Sequence, residues 1–166
     1  DGIYAPQGGK NLAPRQHARK MKVGKVTYQE AYRAVSEYRK KFSEKAVTYY
    51  AQNYPDMAWA VLMAGGSCPV IPVNDEAFLK DIASMEIEET GTNEYQKMVK
   101  SDIGCIIYSH SGAEIPVQMK SGKYILRSVN PKTGEVKVIS KSLNIKDIYR
   151  LKTEGNKDCI FWFHRI

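Results

Sequence analysis

The sequence predicts an α+β chain in two parts: an α/β segment at residues 1–85 and an antiparallel β-sandwich at residues 94–166. Three observations predict it. Apolar residues recur at helical spacing after Thr27. A second stretch, 57–64, is apolar almost all round, as an enclosed helix would be. From Glu94 onward, short β-branched and aromatic runs alternate with turn signals at about 8–12-residue spacing, the pattern of an antiparallel sandwich or barrel.

Each element has a local reason. Pro6, Gly8, Gly9, Pro14 and Gly24 punctuate residues 1–26, so that stretch reads as extended, with at most a brief helix opened by Pro14. Thr27 and Glu30 form a T-x-x-E capping box ahead of a helix at 27–42. Tyr28, Ala31, Tyr32, Val35, Tyr38 and Phe42 make its apolar face. Residues 43–45 read as a turn. Ala46-Val47-Thr48-Tyr49-Tyr50 reads as a strand, so nearly continuous in apolar character that both its faces should be covered. Asn53 and Asp56 can cap a helix at 55–64, where Pro55 sits in the tolerated first turn and Gly65-Gly66 stop it. Residues 69–72 are extended, Asp75 caps a short amphipathic helix through Phe78, Leu79, Ile82 and Met85, and residues 86–93 form a polar connector. Strand-like runs follow at 95–100, 103–109, 114–119, 124–130, 136–139, 145–151 and 159–164, with Ser111-Gly112, Ser121-Gly122, Pro131-Lys132-Thr133-Gly134 and Glu154-Gly155-Asn156 between them.

The first part poses a packing problem. A strand covered on both faces needs neighbours on both edges, and residues 1–93 offer none of comparable strength. The all-round apolar helix also lacks a partner surface. The sequence therefore predicts that residues 1–65 are closing α/β units of a TIM-like (β/α)8 barrel whose other strands lie upstream. Asp1 in place of Met fits a piece of something longer. Dimerisation, with two copies completing one sheet, is the alternative.

Composition excludes several classes. Hydrophobic residues are 43% and charged residues 26%, a globular balance. No apolar run approaches the roughly 20 residues of a membrane span. The formal charge is +7, and residues 1–41 account for all of it, with ten Lys and Arg against Asp1, Glu30 and Glu37. A basic end invites a nucleic-acid reading, yet no helix-turn-helix, zinc-finger or aromatic-interleaved pattern accompanies it, so a solvated or docking face is preferred. Cys68, Cys105 and Cys159 form no CxxC pair. Cys105 and Cys159 lie in apolar runs and read as small buried hydrophobes, and they could pair if their strands are neighbours. His17, His110 and His164 share no ligand spacing, so no metal or cofactor is expected. Neither Ser67-Cys68 nor Gly8-Gly9-Lys10 has the context of a nucleophile elbow or a phosphate loop.

Three stretches of the first part carry a resemblance. They are residues 3–16 (Ile-Tyr-Ala-Pro-Gln-Gly-Gly-Lys-Asn-Leu-Ala-Pro-Arg-Gln), 38–47 and 59–67. They resemble the C-terminal end of secreted bacterial barrel proteins, glycoside hydrolases associated with polysaccharide utilisation. Residues 107–112 (Ile-Tyr-Ser-His-Ser-Gly), 121–124, 130–135 (Asn-Pro-Lys-Thr-Gly-Glu) and Trp162-Phe163 resemble the small β-sandwich that follows such barrels. That module is named a collagen-binding domain despite its glycosidase setting. The resemblance implies an extracytoplasmic protein whose partners are a polysaccharide or oligosaccharide and the missing upstream barrel; no membrane partner is expected, and the basic cluster leaves a nucleic-acid-binding protein as the last-ranked reading. It places Tyr49, Tyr50, Gln52 and Asn53 at the catalytic face of the barrel, with Gln7 and Asn11 on a loop of the same face. The competing reading makes Tyr49 and Tyr50 packing residues and Asn53 a cap.

Glycoside hydrolysis ordinarily needs two carboxylates about 5–10 Å apart. Among Asp1, Glu30, Glu37, Glu44, Asp56, Asp75, Glu76 and Asp81 no convincing pair is found, so no catalytic residue is expected in this chain. A free-standing glycan- or protein-binding module is the second reading. It predicts an exposed aromatic row from Tyr108, Tyr124, Tyr149 or Trp162.

Overall fold

The computed structural model of the chain describes residues 27–49, 55–90, 95–100, 102–110, 114–153 and 158–166. Among them the helices are α1 (Tyr28–Lys41), α2 (Pro55–Met63) and α3 (Glu76–Ser84). The strands are β1 (Glu86–Glu88), β2 (Tyr95–Lys100), β3 (Gly104–Ser109), β4 (Glu114–Gln118), β5 (Gly122–Val129), β6 (Val136–Ile145), β7 (Ile148–Lys152) and β8 (Cys159–Arg165). The class is mixed, and every strand pair is antiparallel.

The capping box forms as expected. Glu30 N donates to the Thr27 hydroxyl at 3.3 Å and Thr27 N donates to the Glu30 carboxylate at 2.8 Å. Tyr28, Ala31 and Val35 face inward, but the apolar stripe does not stay buried: Tyr38 is 41% and Phe42 38% exposed. There the two rings stack on each other, with the ammonium groups of Lys41 and Lys45 over the Phe42 ring. Helix α2 ends in a Schellman motif, Gly66 N bonding to Val61 O and Gly65 N to Leu62 O, with Gly65 at φ +73°. Asp75 caps α3 by accepting from Phe78 N at 2.9 Å.

The sheet order is β1-β2-β3-β8-β5-β6, and β4 and β7 form a separate two-stranded ribbon. The pleat sends alternate residues of the two central strands to opposite sides. Ile106 and Tyr108 of β3, with Ile160 and Trp162 of β8, join Tyr28, Trp59, Met63, Phe78 and Ile82 of the helices in one core. Cys105, Ile107, Phe161 and Phe163 point the other way and meet Ile115, Val117 and Leu151 of the ribbon in a second. The β-part thus has the two-layer character predicted for it, and α1, α2 and α3 add a third layer.

Two expectations need correction. Residues 46–49 of the predicted strand at 46–50 pair with no strand among the described residues, and residue 50 lies outside them. Val47 and Tyr49 are partly buried against α1 and α2 while Ala46 and Thr48 are exposed, and Val47 O accepts from Ser67 N. This segment, with no ladder neighbour among the described residues, covers a helix pair instead. The doubly covered strands are β3 and β8. Residues 86–88 of the polar connector form strand β1, whose single apolar side chain, Ile87, gave no alternation to read.

The enclosed helix was read correctly, and its cover is in this chain. Ala58, Trp59, Ala60, Val61 and Met63 are buried against α1 and the central sheet, and the Trp59 indole donates to Pro131 O at 2.8 Å in the β5–β6 turn. That turn matches the Asn-Pro-x-Thr-Gly reading: Asn130 Oδ1 accepts from Lys132 N and Thr133 N, and Gly134 adopts φ +72°. For α2, the packing deficit that pointed to an enclosing barrel is therefore met within this chain. No strands of a parallel barrel occur among the described residues.

Candidate functional site

One end of the fold gathers polar and aromatic side chains from four elements. Tyr28 opens α1, Gln96 lies at the start of β2, Tyr108 and His110 at the end of β3, and Asp158 just before β8. The antiparallel pairing of β3 with β8 sets Ser109 opposite Cys159 and so brings His110 beside Asp158. His110 Nδ1 lies 3.0 Å from Asp158 Oδ1 and His110 Nε2 lies 3.1 Å from Gln96 Oε1. The Tyr28 hydroxyl donates to the same Gln96 oxygen at 3.0 Å.

The rings are layered. Tyr28 stacks on Tyr108 with centroids 4.7 Å apart, and His110 meets Tyr28 edge-on at 4.2 Å. Tyr28, Gln96 and Tyr108 form the buried back of the cluster, while the side chains of His110 and Asp158 keep 15% and 39% of their exposure and reach solvent. Among the described residues the Tyr108 hydroxyl has no hydrogen-bond partner within range, although Asp158 stands near enough to act on it. Burial, then the charges of Asp158 and Asp56, push its pKa far above the ordinary phenol value. Burial raises the Tyr28 phenol in the same way. Both stay neutral donors at any physiological pH.

A shallow cavity of about 330 Å³ adjoins this cluster along α1, lined among others by Tyr28, Glu30, Tyr32, Arg33, Glu37 and Gln96. The rings of Tyr28 and Tyr32 lie nearly parallel, 11° apart at 6.3 Å. Amide, carboxylate and guanidinium groups thus surround an aromatic floor, with donors and acceptors mixed.

Of the site residues predicted from sequence, Gln7, Asn11, Tyr50, Gln52 and Asn53 lie outside the described residues. Tyr49 is half-buried and packs against the α1–α2 core; burial, then the charge of Glu30, raise its pKa. The expected exposed aromatic row does not form. Tyr108, Tyr124 and Trp162 are buried and Tyr149 is partly buried, edge-on to Phe163, because helices cover one face of the sheet and the ribbon the other. The possible Cys105–Cys159 disulfide does not form, Cys105 standing opposite Phe163 rather than Cys159. Burial pushes the Cys105 thiol up to about 12, so it is chemically inert at neutral pH.

His164 of β8 holds a second polar cluster. Its Nδ1 lies 2.7 Å from Asp81 Oδ2, which also accepts from the Trp162 indole at 2.8 Å. The Arg127 guanidinium lies over the Trp162 ring at 4.2 Å. This cluster ties α3 to β8 and β5. Among the described residues no group of His, Cys, Asp and Glu could hold a metal ion, and no helix is long and apolar enough to cross a membrane.

The family comparison bears on the helical half. Residues 1–85 match a family described as a domain of unknown function (DUF6298), slightly more than half of the chain. The chain belongs to that family. The match ends at Met85, immediately after α3, so the DUF6298 region supplies the helical layer and the strands follow it. No curated protein matches the chain.

Proposed function

We propose that this chain is the C-terminal part of an extracytoplasmic carbohydrate-active protein of the glycoside-hydrolase type. Its β-part serves as an accessory module, and the chain contacts glycan without cleaving it. The catalytic barrel would stand upstream, with the DUF6298 segment joining it to the sheet. The observation that carries the reading is the cluster of Tyr28, Gln96, Tyr108, His110 and Asp158. Sugars present apolar ring faces and hydroxyl edges; the adjoining cavity offers the partly buried Tyr32 ring and the Glu30 and Glu37 carboxylates, and the cluster brings the His110 imidazole and the Asp158 carboxylate to its solvent edge. The sequence resemblance in residues 3–16, 38–47 and 59–67 supports the same setting.

Affinity electrophoresis of the chain in gels containing plant and bacterial polysaccharides tests it. Retardation by at least one polysaccharide is expected, with no release of reducing ends. His110→Ala should weaken retardation by about 5–30-fold in Kd, the equivalent of one charge-assisted hydrogen bond and its neighbours. Free mobility in every gel, or hydrolysis by this chain alone, would count against the reading.

A further inference from the structure

A larger cavity lies elsewhere, between α1, α3 and β1. It is an open cleft of about 1010 Å³. Its floor is apolar, built from Leu62, Ile71, Met85 and Met98, and its walls carry Ser36, Arg39, Lys40, Glu86, Glu89 and Thr90. The smaller cavity over Tyr28 shares Tyr32, Ser36 and Lys40 with it. These three are spaced four residues apart and so form one stripe along α1. The two cavities therefore adjoin along that helix.

The charges of the cleft balance. Arg39 and Lys40 face Glu86 and Glu89, and Arg39 Nη1 is committed to Gly65 O at 2.9 Å. Among the described residues of the cleft an anionic ligand finds no surplus cation. A purely hydrocarbon ligand would strip water from the polar walls without replacing its hydrogen bonds. A neutral polyol with one apolar face satisfies both floor and walls. Across the mouth, Lys40 of α1 and Glu89 after β1 form an ion pair at 2.6 Å, with side chains 70% and 75% exposed. Tyr32, whose pKa is raised by burial and, more weakly, by Glu89, stands beside this pair. So exposed a pair contributes little and opens easily.

We propose that this cleft seats a neutral oligosaccharide along the Tyr32–Ser36–Lys40 stripe, and that the Lys40–Glu89 pair is a strap the ligand displaces. The proposal rests on the reading above that the protein contacts glycans, and it adds a second seat distinct from the His110 end.

The test is titration of the ¹⁵N-labelled full chain with neutral gluco-, xylo- and manno-oligosaccharides, with an oligogalacturonide as the charged comparison. At least one neutral ligand should shift the amides of Ser36, Lys40, Ile87 and Glu89. Glu89→Gln should bind it up to about fivefold more tightly, because the exposed strap no longer has to be broken. Wild-type affinity should rise with salt, and the Glu89→Gln variant should lose that dependence. Shifts confined to His110 and Asp158 would overturn the cleft while leaving glycan contact standing. Shifts in the cleft from the oligogalacturonide alone would overturn its neutral specificity. No shift from any ligand would bring down both.

Discussion

If α1, α2 and α3 share a core with the sheet, a lesion in the helical layer must lower the stability of the sheet. Trp59→Phe tests this directly. The protein has two tryptophans, both buried, so the variant leaves Trp162 of β8 as the only indole reporter. Removing the Trp59 indole leaves Pro131 O buried without its donor, at about 1–3 kcal/mol. The smaller ring leaves a void that adds about 1 kcal/mol. The expected loss is about 2–4 kcal/mol, or about 1–2 M in urea midpoint at the slope usual for a chain of this size. Equilibrium unfolding would be followed by Trp162 emission and far-ultraviolet circular dichroism in the same samples. The two signals should move together, because Phe78 touches both indoles edge-on and the core runs unbroken from α2 through α3 to β8. The reasoning fails if helical ellipticity is lost at lower urea while the Trp162 transition stays at the wild-type midpoint. The helical segment and the sheet would then be independent units.

Four further outcomes follow from single contacts. Asp81→Ala removes the acceptor of both the Trp162 indole and His164 and should cost about 3–5 kcal/mol in urea unfolding, while Asp81→Asn, which keeps an acceptor, should cost less than half of that. Gly104→Ala places a methyl group 1.9 Å from Phe163 O at φ +136°, so the cross-strand backbone must move; a loss above about 3 kcal/mol, or no soluble protein, is expected. Tyr124→Phe removes the 2.6 Å bond to Lys120 O and should cost about 1 kcal/mol without altering glycan retention. In unmodified protein, a thiol reagent at neutral pH should label exposed Cys68 and spare Cys105 until urea is added. The buried thiol also sets a pH dependence. The folded state keeps the Cys105 proton up to about 12, whereas the unfolded state releases it near 9. The folded state thus binds more protons in that window, and stability falls as pH rises through it, by at most about 1.4 kcal/mol per pH unit. The stability gap between wild type and Cys105→Ala should narrow accordingly.

What was legible in the sequence was local. Thr27 and Glu30 announced α1, Gly65-Gly66 the end of α2, and Asn130 to Gly134 the β5–β6 turn, because each is decided within a few residues of chain. The apolar run 57–64 announced burial but not its cover, since periodicity reports that a helix is enclosed and says nothing of what encloses it. The same limit misplaced residues 46–49. Their β-propensity is real, but a strand exists only through its neighbours, and here the neighbours are two helices. The His110 and Asp158 pair was hidden for a related reason. The residues lie 48 apart in sequence and meet only through the β3–β8 register. One signal did point to them: each is a polar residue set directly against a long apolar run, Tyr108-Ser109-His110 at the end of one and Asp158-Cys159-Ile160 at the start of the other. In an antiparallel pair those two ends are adjacent.

The layering restricts where ligands can meet this protein. A β-sandwich with an open sheet face can offer stacked aromatics to a flat glycan surface, as the sequence reading of Tyr108, Tyr124 and Trp162 supposed. Here Trp162 lies under Arg127 and against Phe78, Tyr108 lies under Tyr28, and Tyr124 faces the ribbon. Both faces of the central strands are occupied by the protein itself, so the glycan contact proposed above falls to the strand ends and to the α1–β1 cleft. Mutations should therefore separate into two groups. Substitutions at Tyr124 and Trp162 should change unfolding midpoints and leave retention on polysaccharide gels intact at temperatures where the variants remain folded. Substitutions at His110, Asp158 and Glu89, whose side chains reach solvent, should change retention by several-fold while moving stability by less than about 1 kcal/mol. A Trp162 variant that stays folded but loses glycan retention would mean that a sheet face opens to ligand after all, and the assignment of both seats would have to be withdrawn.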